Sequence, residues 1–173
     1  FDHDWIMAGQ GTLLLEVIDE IGDFDHLWVP VGGGGLSGGC AAVAAARIPD
    51  CQVHTVEPVG SASLAHSLAA GRNLRLDQTA SEADGLLPMK VGDRNWEVLS
   101  GTGVIPEVIS EEQLIRSLQI LRQDAEIAAE PSGACAAAPI LAPRSDALVS
   151  GGIHVAVVSG GNVSAERLTR LLC

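Results

Sequence analysis

The chain has 173 residues, a formal net charge of −12 at pH 7, 47% hydrophobic residues and only 3% aromatic ones. That length suits a single α/β domain whose core is built from Ala, Val, Leu and Ile. The acidic balance speaks against nucleic acid and anionic membrane surfaces, which need Lys and Arg against phosphate, and no apolar run approaches the ~20 residues of a membrane span.

In chain order, apolar periodicity predicts a helix over 11–21 and then a short buried strand over 27–31. A glycine-only turn, Gly32 to Gly35, follows. An alanine-rich helix is expected over 36–47, a strand over 52–57 and a helix over 60–70. Residues 71–92 are the least regular stretch. A helix over 93–100, a strand over 105–109 and a helix over 111–124 come next. Ser110-Glu-Glu-Gln113 forms a capping box for the last of these, with Leu114, Ile115, Leu118 and Leu121 on one face. A weaker strand over 126–129, a helix over 132–142, a strand over 154–158 and a helix over 163–172 complete the pattern. Short joints between alternating strands and helices predict a doubly wound α/β fold: a mostly parallel sheet with helices on both faces.

The glycine turn carries the chemistry. Four residues without Cβ let backbone approach a ligand closely. They also place several N–H groups at the positive end of a helix dipole, where phosphate is held. Packing alone is the plainer explanation of such a turn. A dinucleotide fold is the sharper rival: Gly33-Gly-Gly35-Leu-Ser-Gly38 satisfies Gly-x-Gly-x-x-Gly, and Glu57 ends the next strand about 20 residues further on, where a ribose-binding carboxylate would stand. A second flexible turn, Ser159-Gly-Gly-Asn162, follows the last predicted strand and sets a hydroxyl at the ligand side of an open sheet. Between the two turns, Ala129-Glu-Pro-Ser-Gly-Ala134 forms a third strand-to-helix joint, with Ser132 as its expected N-cap.

Taken together, Ala8-Gly-Gln-Gly-Thr12, Pro30-Val-Gly-Gly-Gly-Gly-Leu36, Val56-Glu-Pro58, Ala83-Asp-Gly85, Glu130-Pro-Ser-Gly133 and Ser159-Gly-Gly-Asn-Val163 occur in an order that resembles the serine/threonine dehydratase and serine racemase family, pyridoxal-phosphate enzymes of fold type II. The resemblance covers nearly the whole chain. It implies that Gly32, Gly33, Gly34, Gly35 and Leu36 cradle the phosphate of pyridoxal 5'-phosphate and that Ser159 bonds its pyridine nitrogen. It also implies that Gly85 passes close to the cofactor and that Glu130 stands near its ring. The plain alternatives are that Glu130 pins its loop and that Gly85 serves a turn. The family further implies a Mg or Ca site, here falling on Glu57, Ser61 and Ser63. Ser63 stands where the family has a carboxylate, which a hard cation prefers.

The implied activity is deamination of a β-hydroxy amino acid such as L-threonine or L-serine to a 2-oxo acid and ammonia. The family joins its cofactor to a lysine in a Ser-x-Lys segment and closes a smaller domain over the substrate. Neither matches a segment of this sequence, whose only lysine, Lys90, lies in a surface-type loop. The expectation is therefore a C-terminal portion, 1–173, forming a single cofactor-binding domain. Its partners would be a small amino-acid substrate, the N-terminal portion of the same protein and, as a homo-oligomer, further copies. A nicotinamide-binding domain and a non-catalytic member of the family stay open as alternatives. Cys40, Cys51, Cys135 and Cys173 show no Cys-x-x-Cys spacing and read as free thiols of a cytoplasmic protein. His54 and His154 fall within strand patterns and read as buried, hydrogen-bonded imidazoles; His3, His26 and His66 have no partner at metal-ligand spacing.

Overall fold

Four short apolar segments pair into one wholly parallel sheet in a computed structural model that describes residues 1–142 and 151–172. The strands are β1 (His26–Pro30), β2 (Gln52–Pro58), β3 (Ile105–Ile109) and β4 (His154–Ala156), in the order β3-β2-β1-β4. All five residues of β1 are buried, as its central place in a sheet covered on both faces requires. Its register pairs His26 with both Gln52 and His154, and Trp28 with both His54 and Ala156.

The helices are α1 (Asp4–Ile21), α2 (Gly35–Arg47), α3 (Ser63–Ala70), α4 (Asp93–Gly101), α5 (Glu111–Gln123), α6 (Pro131–Ala134), α7 (Ala138–Leu141) and α8 (Ala165–Leu172). Leu27, Val29 and Val31 point to one face of the sheet, where Leu14 of α1, Cys40 and Ala44 of α2, Leu64 of α3 and Leu99 of α4 close around them. On the opposite face, Trp28 and Val56 meet Leu114 of α5, Cys135, Ala136 and Ala138. Leu118, Leu121 and Ala134 continue that layer toward Leu168 and Leu171 of α8. The alternation along β1 thus separates two cores, as a period of two demands.

Local chemistry explains the boundaries. The capping box of α5 forms as expected: Ser110 Oγ accepts from Gln113 N at 3.1 Å and Gln113 Oε1 accepts from Ser110 N at 3.1 Å. The helix expected over 11–21 begins earlier, at Asp4, where His3 Nδ1 accepts from Trp5 N. The helix expected over 60–70 starts at Ser63, after a 3-10 turn over Val59–Ser61. The helix expected over 132–142 is interrupted by a 3-10 turn over Cys135–Ala137, because Pro139 lacks the N–H that a continuous helix would use. The weak strand expected over 126–129 is absent; Glu126 adopts φ 58° and Ile127 N returns to Leu121 O at 2.8 Å, closing the end of α5. Among the described residues no helix is long and apolar enough to cross a membrane.

Candidate functional site

The carboxyl ends of β1 and β4 open onto a cavity of about 270 Å³. Its walls are the glycine turn, Leu36, Gly85, Leu86, Pro88 and Ser159, with Phe1, Ile6 and Gln10 contributed from the start of the chain. Segments separated by more than a hundred residues therefore meet at the sheet edge where α/β folds bind ligands.

The glycine turn is shaped for its position. Gly34 has φ 90°, and a Cβ there would lie 2.9 Å from Val91 Cγ1 and 3.0 Å from Asn95 Cβ. Only glycine meets both conditions. Gly33 O is held from outside the cavity, accepting from Gly92 N at 3.0 Å and from Asn95 Nδ2 at 2.8 Å. With that carbonyl engaged, the N–H groups of Gly32, Gly33 and Gly34 have no acceptor among the described residues. The first turn of α2 adds further unbonded N–H groups and contains no acidic side chain. Donors converging on a site free of carboxylates, at the positive end of a 13-residue helix, suit an anionic phosphate.

On the opposite wall, Gly85 O lies 2.9 Å from where a Cβ on Gly32 would stand, so the two loops meet backbone to backbone. Gly85 N donates to Ser132 Oγ at 2.9 Å. Ser132 therefore positions the neighbouring loop instead of capping α6, whose N-cap is Glu130. The structure brings Gly32, Gly33, Gly34, Gly35, Leu36, Gly85 and Ser159 together around one cavity. Glu130 stands outside its wall, with Oε1 2.7 Å from the position of a Cβ on Gly160, beneath the Ser159 turn.

Two residues in contact with the turn gave no local signal. Asn95 is fully buried, and its Nδ2 also faces Phe1 O at 3.2 Å. The ring of Phe1 lies against Gly33, where any Cβ would collide with it. Both contacts join residues distant in sequence, so neither periodicity nor a short motif could reveal them.

The expected cation site has another use. Glu57 is 1% exposed. Its Oε1 accepts from Leu64 N and its Oε2 from Ala65 N, both at 2.8 Å, and Ser63 Oγ donates to Oε1 at 3.5 Å. The carboxylate thereby caps α3. Ser61 Oγ is buried without a partner among the described residues. A neutral serine at 63 and a carboxylate committed to two amides do not fit Mg or Ca, and among the described residues no cluster of three or more His, Cys, Asp or Glu could hold a metal. Burial pushes the Glu57 carboxyl up to about 7, against the downward pull of these N–H donors. The same capping removes Glu57 from the role of a ribose ligand, so the nicotinamide reading loses its acidic partner.

Lys90 pairs with Asp93 at 2.6 Å on the surface and does not line the cavity. Cys40 and Cys135 are buried free thiols and Cys51 is a partly buried one; Cys173 lies outside the described residues. His54 is buried and His154 half-buried, both hydrogen-bonded as expected. His26 joins them: its Nδ1 is 3.1 Å from His54 Nε2, and its ring stacks on that of His154 with centroids 4.3 Å apart.

A family profile described as pyridoxal-phosphate dependent enzyme matches residues 1–160, and the chain belongs to that family. More particularly, it is 30% identical to the biosynthetic L-threonine dehydratase IlvA of Pasteurella multocida, over 97% of this chain and 33% of that protein. It is 32% identical to the serine racemase of Schizosaccharomyces pombe, over 99% of this chain and 53% of the relative. The solved structure of maize serine racemase superposes with a TM-score of 0.88 at 32% identity, over 95% of this chain and 52% of that one. The chain thus spans between a third and about half of the length of these relatives.

Proposed function

We propose that this chain is the cofactor-holding part of a pyridoxal-phosphate-dependent ammonia-lyase that converts a β-hydroxy amino acid, L-threonine or L-serine, to a 2-oxo acid and ammonia. The observation that carries the reading is the meeting of the glycine turn, Gly85 and Ser159 around one cavity, with the turn's N–H groups uncommitted. Gly32 to Leu36 hold the phosphate through backbone donors. Gly85 would border the ring, and the Ser159 hydroxyl would bond the pyridine nitrogen.

When bound, pyridoxal phosphate supplies an electron sink for the negative charge formed at the substrate α-carbon. A neutral hydroxyl at position 159 cannot keep the ring nitrogen protonated as a carboxylate would. The sink is then a milder one, which suits loss of a β-hydroxyl better than transamination. Lys90, paired with Asp93 on the surface, does not line the cavity. The lysine that joins the cofactor and moves the α-proton belongs, on this reading, to an N-terminal portion that together with further copies of the chain completes a cytoplasmic enzyme.

Titration with pyridoxal phosphate, followed through quenching of tryptophan emission, tests the cradle directly. Saturable binding that inorganic phosphate competes away, with no response to NAD, is expected. Binding of NAD in place of pyridoxal phosphate, or indifference to both, refutes the reading.

A further inference from the structure

The wall residues facing the glycine turn, Gly85 and Ser159, are tied together through three stretches distant in sequence, whose contacts run in a closed circuit. It starts at Gly85, whose N–H donates to Ser132 Oγ. The chain around Ser132 is seated on the Ser159 turn: Glu130 N donates to Gly160 O at 3.0 Å, and a Cβ on Gly133 would collide with the Gly160 backbone. The turn then enters α8 through Ser164, whose Oγ accepts from Arg167 N at 3.2 Å. Arg167 reaches back to the starting loop. Its Nη1 donates to Asp84 Oδ2 at 3.0 Å and its Nη2 to Glu82 O at 2.7 Å.

We propose that Arg167 is a positioning residue that closes this circuit, fixing the separation of Gly85 and Ser159 across the cavity and so setting the affinity for the ring of the cofactor. The inference rests on the pyridoxal-phosphate reading of the cavity, which Arg167 itself does not line. The two acceptors are a carboxylate and a main-chain carbonyl flanking Ala83, which is fully buried. A planar guanidinium reaches both at once; a lysine ammonium on a flexible stem satisfies one or the other. The Arg167 side chain is 28% exposed, so its bonds are partly shielded from water. Arg170, 71% exposed and 4.0 Å from Glu82 Oε2, is too remote to replace it.

The circuit touches the glycine turn at the Gly85–Gly32 backbone contact but shares no hydrogen bond with it among the described residues, and this separates positioning from general support of the fold. Arg167→Ala should weaken pyridoxal phosphate binding about tenfold, the scale of a lost hydrogen bond to a charged group. Affinity for inorganic phosphate should stay within about twofold of the parent, a change of only a few tenths of a kcal/mol. Arg167→Lys should recover part of the loss, and Arg170→Ala should cause none. Ser132→Ala breaks the circuit elsewhere, so the double variant should lose no more than the larger single loss. Amide hydrogen exchange over residues 82–88, measured without ligand, should quicken in both single variants. Unchanged exchange and affinity in Arg167→Ala would overturn the proposal. Equal weakening of phosphate and cofactor would overturn it too, because Arg167 would then only support the fold. A parent chain that takes up no pyridoxal phosphate sinks the functional reading, and the exchange arm then decides the circuit by itself.

Discussion

The two ends of the parallel sheet use polar groups in opposite ways. Toward the amino-terminal end of β1 and β4, His26, His154, His54 and Trp28 bond and stack on one another. Trp28 Nε1 donates to His154 Nδ1 at 3.1 Å and its ring stacks on His54 at 3.9 Å, while His54 Nδ1 faces Glu107 Oε1 at 3.6 Å. Just past the carboxyl end of β1, the Gly32–Gly34 amides have no acceptor among the described residues. Buried polar groups are costly unless paired. The first end answers most of its polar groups with side chains, whereas the second keeps several main-chain donors open among the described residues, as the proposed phosphate cradle requires.

Substitutions should divide along that line. Trp28→Ala removes a side chain that is 5% exposed, together with its stacking contact on His54 and its hydrogen bond to His154. It should cost about 3–5 kcal/mol in urea unfolding, in the range of large aromatic truncations. Affinity for pyridoxal phosphate in the folded fraction should stay within about twofold, because Trp28, at the middle of β1, does not itself line the cavity. A proportionate loss of affinity would join the two ends into one functional unit and break the comparison.

Gly34→Ala should show the reverse balance. Its left-handed φ of 90° and the 2.9 Å approach of Val91 Cγ1 leave no place for a methyl group. Strain and overpacking together should cost about 2–4 kcal/mol. Cofactor binding should be lost even under conditions where the chain remains folded, as a titration beside a urea melt would reveal. Retained affinity would mean that this turn is not the cradle.

The contrast between the ends also explains what could be read from the residues alone. The alternation of elements, the four-glycine turn and the Ser110 capping box are local patterns, and they appear where their residues predict them, apart from the missing strand over 126–129 and the broken helix over 132–142. The meeting of Gly85 and Ser159 with the turn was legible only through resemblance, because it joins stretches whose spacing encodes nothing by itself. Asn95 and Phe1 escaped for the same reason. Ser132 was legible as a polar residue at a helix start, but the helix begins one residue before it and its hydroxyl turns to another loop. Glu57 resembled a ligand because acidic residues at strand ends often are; its partners are amides of α3, seven and eight residues later. His26, His54 and His154 become neighbours only through strand register.

The smallest expected effect concerns pH, and here one buried group on each core face works with opposite sign. The Glu57 carboxyl, raised by burial from 4.5 to about 7, holds its proton more tightly in the folded chain than in the unfolded one. Its contribution to stability therefore declines as pH rises from about 4.5 to about 7. The His26 imidazole is lowered from 6.5, first by burial and then by its neighbours His154 and His54. The unfolded chain protonates it more readily, so its contribution is lost as pH falls below 6.5. In the parent the two slopes oppose each other below about pH 6.5, so urea midpoints should vary less there than in a variant lacking either group. Glu57→Gln should leave midpoints that drop on acidification through that window. His26→Gln should leave midpoints that rise on the same acidification. Parallel profiles for the parent and both variants would show that neither group titrates differently on folding, and that the ends of the sheet differ in geometry alone.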